Sequence, residues 1–214
     1  MIKLNLGCAG NLMPGYINID MDSLETIQER YPGITIPKEA KFLQADVLAL
    51  ADSFELGSVD EIRSDSLVEH IGFKDEAKFF EGCRDVLKIG GALKLSTPDF
   101  EWVVNRWLKS EDNWKDFFRN DSKAIEEEHW FGQYSYRMDQ RWGYLTASMF
   151  GSQNGEGQFH HNAYTEKKLL AIMRYLNFHD VEIHRSRWKE SREIMLHMTA
   201  FKFPLERRVN DRIK

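Results

Sequence analysis

Short apolar segments alternate with helical patterns along most of the chain. The strand-like segments are residues 2–6, 16–19, 41–45, 61–64 and 92–96, and two more follow at 181–184 and 197–203. Helical periodicity lies between several of them. Strands that alternate with helices usually form a parallel sheet covered by helices. The pattern therefore predicts an α/β fold.

The clearest helix is predicted over residues 74–88. Its apolar residues recur at the spacing of a helix that packs on one face, and they are Phe79, Phe80, Cys83, Val86 and Leu87. The pair Gly90-Gly91 is expected to end this helix before a strand. A second helix is predicted to begin after Thr165, a good N-cap residue.

Residues 100–161 interrupt the alternation. This region is helical in texture and contains five of the six tryptophans, which are Trp102, Trp107, Trp114, Trp130 and Trp142. It stands where a single crossover helix is expected, so we interpret it as an insertion. Each tryptophan is more simply explained as core, although so many in one region suggest that one of them faces a ligand pocket.

Composition and charge limit the function classes. The chain has 214 residues, 42% of them hydrophobic, which suits a single domain with a sizeable core. The net charge of −5 gives no electrostatic reason to expect a nucleic-acid or anionic-membrane partner. Arg185, Arg187, Lys189 and Arg192 form a small basic cluster, which we interpret as a solvated face. Two cysteines and the lack of a long apolar stretch predict a soluble, cytoplasmic protein without a disulfide.

Motifs at successive strand ends, and in the segments that follow them, then point to one family. Strand one ends in "LNLGCAG", strand two ends in "NID", and "LQAD" follows strand three. This spacing resembles the nucleoside site of class I S-adenosylmethionine-dependent methyltransferases. The segments "VDEIRSDSLVEHI", "CRDVLKIGGALKLSTPD" and "HHNAYTEKKLLAIMRYLNF" resemble later motifs of the type 11 branch of these enzymes. The resemblance implies one domain over residues 1–214, with a Rossmann-like, doubly wound sheet in the order 3-2-1-4-5-7-6 and an antiparallel last strand.

The resemblance also implies a site for S-adenosylmethionine. Small residues after strand one would let the backbone approach the amino-acid part of the cofactor, Asp20 would accept from the ribose hydroxyls, and Asp46 would accept from the adenine amine. Ser64 and Asp65 would lie under the methionine part. The implied cofactor-binding set is Gly7, Cys8, Ala9, Asp20, Met21, Asp46, Val47 and Ser64. The alternative is an ordinary glycine turn with loop-capping aspartates.

Three features depart from the family pattern. Ala9 stands where glycine is usual, so a positive φ there would cost about 1–2 kcal/mol. Asn5 stands where many relatives carry an acidic residue. Only nine residues, Gly7 to Gly15, link the first two strands, fewer than the dozen or so that a helical crossover needs.

Several residues could act as a general base toward the methyl acceptor. They are Glu69, His70, Asp99, His129, His160 and His161. We expect the catalytic residues to be His160, His70 and Glu69. His160 is the first choice, because a glycine-rich loop leads into it and could swing it over the site. Each candidate also has a structural alternative. Glu69 and His70 could cap the helix that follows them, Asp99 could cap the helix that begins near Phe100, and His160 and His161 could satisfy backbone groups. No metal is expected, because the His160–His161 pair lacks a Cys, Asp or Glu at ligand spacing.

These observations predict a methyltransferase that uses S-adenosylmethionine and acts on a small-molecule or sugar-like acceptor. A nicotinamide reductase would need a dinucleotide fingerprint and a Tyr-Lys pair, and the sequence contains neither. A non-catalytic protein that binds S-adenosylmethionine, or an interaction protein of the same fold, remains the alternative, because Asn5 and Ala9 are changes that a decayed site would carry.

Overall fold

The computed structural model describes residues 1–108, 141–153, 155, 157–187 and 194–204. The strands are β1 Lys3–Leu6, β2 Ile17–Asp20, β3 Lys41–Gln44, β4 Val59–Asp65, β5 Leu87–Pro98, β6 Phe178–Arg187 and β7 Ile194–Lys202. They form one sheet in the order β3-β2-β1-β4-β5-β7-β6. Strands β1 to β5 pair in parallel, and β7 is antiparallel to β5 and β6. The predicted strand order and antiparallel last strand are confirmed.

Helices of the described residues accompany the sheet. They are α1 Leu24–Arg30, α2 Leu50–Ser53, α3 Glu76–Val86, α4 Phe100–Leu108, α5 Arg141–Phe150 and α6 Glu166–Tyr175. The Thr165 hydroxyl accepts from the Lys168 N–H at the start of α6, which confirms the predicted N-cap. In the part of the chain that the structure describes, no helix has both the length and the apolar character needed to cross a membrane.

The predicted end of the helix at residues 74–88 is wrong. α3 ends at Val86, because Leu87 is already extended (φ −66°, ψ 140°) and pairs with Val59 of β4. Gly90 and Gly91 therefore lie inside β5, opposite a shift in register between Val59 and Glu61. A Cβ at Gly91 would lie 2.9 Å from the Lys88 carbonyl oxygen. The glycine pair thus serves an irregular strand rather than a helix end.

The core packs the helices onto the sheet. It includes Leu4 and Leu6 of β1, Ile62 of β4, and Phe79 and Phe80 of α3, all of which are buried. The two phenylalanine rings meet edge to face at 5.2 Å. This packing fixes the strands whose carboxyl ends form the candidate site.

The predicted insertion at residues 100–161 is described in part. Its described helices are α4 and α5, and Trp102, Trp107 and Met149 pack around buried Val103. Trp102 and Trp107 are therefore partly buried against Val103. Trp114 and Trp130 lie outside the described residues, as does the side chain of Trp142. The single-domain organisation stays a prediction.

The connection between β1 and β2 is held by buried amides instead of a helix. The described residues 7–16 contain no helix, as the short link predicts. Asn18, fully buried in β2, accepts from the Met13 N–H (2.8 Å) and donates to the Met13 carbonyl (3.1 Å) and the Lys41 carbonyl (3.0 Å). Buried Asn5 donates both to the Asn18 amide oxygen and to the Asn11 carbonyl, each at 2.8 Å. These hydrogen bonds attach the loop to the two strands that it joins.

Candidate active site

The carboxyl ends of β1 and β4 lie side by side where the strand order reverses, with β2 on the far side of β1. Ligands of open parallel sheets bind at such a point. Gly7 follows β1 with φ +61°, and a Cβ there would lie 2.7 Å from Leu67 Cδ1. Ala9 has φ +41°, so the positive φ considered from the sequence is present. A tight left-handed turn thus opens the candidate site.

Cys8 belongs to the scaffold of this turn. Its side chain is buried, and its N–H donates to the Ile19 carbonyl at 3.1 Å. Burial, and then the charge of Asp20, raises the pKa of the Cys8 thiol to about 12. The thiol therefore stays protonated and faces the protein, so only the backbone of Cys8 remains available to a cofactor.

Asp20 joins the end of β2 to the turn after β1. One carboxylate oxygen accepts from the Ala9 N–H at 2.8 Å, and the other accepts from the Asp22 N–H at 3.1 Å. A carboxylate has about four lone-pair positions, so each oxygen keeps capacity for a further donor. Met21 follows with an exposed side chain. Asp20 therefore has a structural role and remains able to accept from a ligand.

Asp46 caps the short 3₁₀ turn Val47–Ala49 after β3. Its carboxylate accepts from the Leu48 N–H at 2.8 Å, and its side chain is exposed. The neighbouring Ala45 N–H donates to the Asp20 carbonyl at 2.9 Å, which ties the ends of β2 and β3 together. The capping role considered from the sequence is present, and contact of Asp46 and Val47 with adenine stays a prediction.

Ser64 and Asp65, at the end of β4, differ in their burial and in their hydrogen bonds. Ser64 is fully buried opposite Leu6 of β1, and among the described residues its hydroxyl has no hydrogen-bond partner. A buried polar group without a partner costs about 1–3 kcal/mol and calls for an explanation. Asp65 instead accepts from Arg63 Nε (2.6 Å) and from the Ser96 hydroxyl (2.9 Å). Contact of Ser64 and Asp65 with the methionine part of the cofactor stays a prediction.

The three expected catalytic residues come together although they are far apart in sequence. Glu69 and His70 follow β4, and His160 follows α5. One potential ligand atom from each of the three lies within 4.8 Å of the others. The two imidazole rings meet edge to face, with centroids 4.7 Å apart. We call Glu69, His70 and His160 the histidine–glutamate cluster.

Backbone carbonyls orient both imidazoles of the cluster. His70 Nδ1 lies 3.0 Å from the Phe159 carbonyl oxygen, and His160 Nδ1 lies 3.1 Å from that of Ser148. A carbonyl can only accept, so each Nδ1 carries the proton and each Nε2 carries a lone pair. Burial, followed by the nearby His70, lowers the pKa of His160 to about 4, and burial also lowers the pKa of His70. Both rings are therefore neutral at pH 7.

Glu69 is the buried member of the cluster, only 3% exposed. Its carboxylate accepts from the Thr97 hydroxyl of β5 at 3.0 Å, and its carbonyl accepts from the His161 and Asn162 N–H groups. A small cavity borders Glu69 and His160 and is also lined by Thr97, Ser148 and Tyr164. The cluster thus lies at the carboxyl ends of β4 and β5, next to the turn that Leu67 covers.

Backbone hydrogen bonds hold His160 at the cluster. The backbone N–H of His160 donates to the Phe150 carbonyl at 3.0 Å. Gly151 and Phe159 form an antiparallel β-bridge that closes the glycine-rich loop. The loop motion expected from the sequence is therefore not needed to bring His160 to Glu69. His160 does satisfy a backbone carbonyl, as the alternative proposed, but with Nδ1 only.

The remaining base candidates lie outside the cluster. Asp99 caps α4 through the Glu101 and Trp102 N–H groups and pairs with Arg185 Nε at 2.7 Å. Arg185 also pairs with Glu166, so this part of the basic cluster is neutralised on the surface. The exposed His161 ring stacks on Phe159. His129, Lys189 and Arg192 lie outside the described residues.

Sequence reasoning missed two supporting residues. Asn18 fixes the loop before Asp20, and its signal was an asparagine between two isoleucines in a buried strand. Thr97 holds the Glu69 carboxylate, and no local pattern marks it, because the contact joins residues from two different strand ends.

Comparison of the chain with solved structures identifies its fold. No family model matches the chain, and no curated protein matches it. Among solved structures, a methyltransferase from Burkholderia thailandensis with bound 1,6-didemethyltoxoflavin and S-adenosylhomocysteine matches with a TM-score of 0.55 at 13% identity, covering 95% of this chain and 71% of that one. A methyltransferase from Methanosarcina mazei matches with a TM-score of 0.57 at 17% identity, covering 94% and 92%. One from Archaeoglobus fulgidus matches with a TM-score of 0.54 at 14% identity, covering 94% and 85%. At such identities the likeness establishes the fold, which is that of class I S-adenosylmethionine-dependent methyltransferases.

Proposed function

We propose that this chain, which has the class I methyltransferase fold, binds S-adenosylmethionine and transfers its methyl group to a small-molecule or glycan-like acceptor. The observation that carries the proposal is the Asp20 carboxylate, which links the end of β2 to the left-handed Gly7–Ala9 turn at the switch point of the sheet. A carboxylate at this position can accept hydrogen bonds from a pair of ribose hydroxyls. The small residues of the turn let the backbone approach the amino-acid part of the cofactor, which has no pyrophosphate and therefore needs no phosphate-binding loop.

The residues present fit the cofactor part by part. Asp20 would accept from the ribose hydroxyls with its remaining lone pairs, and Asp46 and Val47 would border the adenine. The unpartnered Ser64 hydroxyl, next to the start of the turn, would gain a polar partner in the methionine part. That gain would offset the cost of burying the hydroxyl without a partner.

When bound, S-adenosylmethionine supplies a methyl group on a positively charged sulfur. The chain's own contribution is alignment of the acceptor and exclusion of water. Neutral His160 would accept the hydrogen bond of an acceptor hydroxyl at Nε2, with Glu69 and His70 beside it. A pKa of about 4 makes His160 a weak base at pH 7, so orientation is the larger part of this role.

The acceptor class rests on two lines of support. The Burkholderia thailandensis enzyme was solved with the small molecule 1,6-didemethyltoxoflavin, and a Haemonchus contortus enzyme with phosphomonomethylethanolamine. The glycan-like possibility rests on the aromatic content of residues 100–161.

The alternative is a non-catalytic protein that binds S-adenosylmethionine. Asn5 was one reason to consider a decayed site, but its amide donates to Asn11 and Asn18, which gives it a structural role. Methyl transfer to any acceptor in a screen with radiolabelled S-adenosylmethionine would exclude this alternative.

The proposal is tested first by cofactor binding. S-Adenosylhomocysteine should raise the melting temperature, because a ligand at a hundredfold excess over Kd stabilises the native state by about 2.7 kcal/mol. A shift with NAD and none with S-adenosylhomocysteine would refute the proposal in favour of a nicotinamide enzyme.

A matched pair of variants tests the position of the ribose. Asp20→Asn keeps an amide oxygen for the Ala9 N–H but removes the charge, so affinity should fall by about 2 kcal/mol, roughly thirtyfold in Kd. Asp22→Asn removes a carboxylate two residues away that pairs with Arg30 on the surface, and its effect should stay below about 0.5 kcal/mol. Equal affinities for the two variants in calorimetric titration would show that Asp20 does not hold the ribose.

A further inference from the structure

The histidine–glutamate cluster has the donor set of a transition-metal site. It supplies two imidazole nitrogens and one carboxylate oxygen. One potential ligand atom from each residue lies within 4.8 Å of the others. Neither the strand motifs nor the spacing of His160 and His161 indicated it, because Glu69 and His160 are about 90 residues apart in sequence.

The hydrogen bonds around the cluster prepare it for a cation. The Phe159 and Ser148 carbonyls take the Nδ1 protons of His70 and His160. In each ring the Nε2 is thereby the nitrogen that carries the lone pair and can bind a ligand. Metal-binding histidines almost always donate their other ring N–H to a carbonyl, a carboxylate or water in this way. The Thr97 hydroxyl orients the Glu69 carboxylate similarly.

We propose that Glu69, His70 and His160 bind one divalent transition-metal ion of the Zn²⁺ or Co²⁺ type. Imidazole nitrogen favours such ions over Mg²⁺ and Ca²⁺, which prefer oxygen ligands. Bond lengths of about 2.0–2.2 Å put tetrahedral ligand atoms roughly 3.4 Å apart, so the side chains close by about an ångström when the ion binds. No large backbone movement is required.

Three protein ligands leave at least one coordination position open. The role of that position rests on the proposed methyl transfer. An acceptor hydroxyl oxygen bound there would lose its proton to solvent, because a bound divalent ion lowers the pKa of a coordinated hydroxyl. The oxygen would then form the new O–CH₃ bond as the S–CH₃ bond breaks, with the bonding pair remaining on the sulfur of S-adenosylhomocysteine. The ion would thus replace the bare His160 nitrogen as the group that activates the acceptor.

Metal binding is tested on the untagged full chain after removal of metals by a chelator. Calorimetric titration with Zn²⁺, and the visible spectrum of the Co²⁺ form, should show one equivalent per chain with nitrogen ligands. Glu69→Gln, His70→Asn and His160→Asn should each weaken Zn²⁺ binding more than about a hundredfold, since even outer-shell partners are worth about 10- to 100-fold. The Asn variants keep an amide donor for the Phe159 and Ser148 carbonyls, so the fold is preserved; circular dichroism and melting temperature check this.

Two further variants sharpen the test. Thr97→Val removes only the hydroxyl that orients Glu69 and should weaken binding about 10- to 100-fold. His161→Ala removes the exposed neighbouring imidazole, which lies outside the cluster, and should leave Zn²⁺ affinity within about twofold. No binding by the wild-type chain would overturn the proposal, as would equal losses in His161→Ala and His160→Asn.

Binding of S-adenosylhomocysteine separates this proposal from the proposed function. If the cofactor product binds and Zn²⁺ does not, the metal site is refuted and methyl transfer stands. If Zn²⁺ binds at the cluster and S-adenosylhomocysteine does not, the metal site stands and the cofactor assignment is refuted.

Discussion

The loop before His160 contains two glycines that form a matched experiment. Gly151 and Gly157 have nearly equal positive φ values, +81° and +83°. A Cβ at Gly151 would clash with the Gln158 carbonyl oxygen and lie 2.8 Å from the His160 backbone nitrogen, whereas no atom of the described residues lies within 4 Å of a Cβ at Gly157. Alanine at the two positions therefore meets the same backbone strain but very different surroundings.

The expected free energies of unfolding follow from these contacts. Alanine at positive φ costs about 1–2 kcal/mol at either position. In Gly151→Ala the backbone of the loop must also separate, which breaks two hydrogen bonds at about 1 kcal/mol each: the one from the His160 N–H to the Phe150 carbonyl, which is part of the Gly151–Phe159 bridge, and the one from the Gln153 N–H to the Gln158 carbonyl. We expect a loss of about 3–4 kcal/mol for Gly151→Ala and about 1–2 kcal/mol for Gly157→Ala. The reduced entropy of the unfolded chain is the same for both variants and cancels in the difference.

Urea unfolding followed by circular dichroism measures both values, provided that the m-value is unchanged. Gly151→Ala should also weaken Zn²⁺ binding, because the same clash moves His160, and Gly157→Ala should not. Losses that agree within about 0.5 kcal/mol would show that the bridge between Gly151 and Phe159 does not hold this loop closed, and the account of how His160 is positioned would be wrong.

Three other predictions concern the scaffold. Asn5→Asp should destabilise the protein by about 1–3 kcal/mol in urea unfolding, because a carboxylate cannot donate to the Asn11 carbonyl or the Asn18 amide oxygen; an unchanged midpoint would mean that these hydrogen bonds contribute nothing. Cys8 and Cys83 are both buried, and burial raises the pKa of each thiol, so Ellman's reagent should react with neither until urea unfolds the chain; fast reaction of the native protein would contradict the burial of Cys8. Burial lowers the pKa of His197, and the nearby His184 lowers it further. As the pH falls below about 6.5, the unfolded chain therefore binds more protons at His197 than the folded chain does. The contribution of neutral His197 to the free energy of unfolding is complete above about pH 6.5 and is lost as the pH falls. Unfolding free energies at pH 7.5 and 5.5 should therefore differ less in His197→Gln than in the wild type, and an equal difference would refute the assignment.

The sheet was largely predictable from the sequence, because each strand has its own local pattern and the motifs at the strand ends occur in family order. The point at which β5 begins was not predictable. Gly90-Gly91 has the composition of a helix end, and only the pairing of Leu87 with Val59 shows that the strand has already begun. Long-range pairing outweighed a local signal.

The candidate site was predictable residue by residue but not as an arrangement. Glu69, His70 and His160 were each named from short motifs, yet their meeting depends on how α5 and its following loop return to the end of β4. The metal expectation used spacing along the chain and so could not include Glu69. Asn5 was interpreted as a departure from the family, whereas its burial and its two hydrogen bonds give it a role that only the structure reveals.

The short loop between β1 and β2 has a consequence for the order of folding. Ten residues separate these parallel strands, about half of the roughly 20 that connect the strands of a usual strand–helix–strand unit, so the free-energy cost of closing the loop is smaller by about 0.6 kcal/mol. Pairing of β1 with β4 must instead wait for more than 50 intervening residues. The β1–β2 pair, with its buried asparagines, is therefore placed to form early. The half of the candidate site around Asp20 would assemble first, and the half that needs both Glu69 and His160 would assemble last.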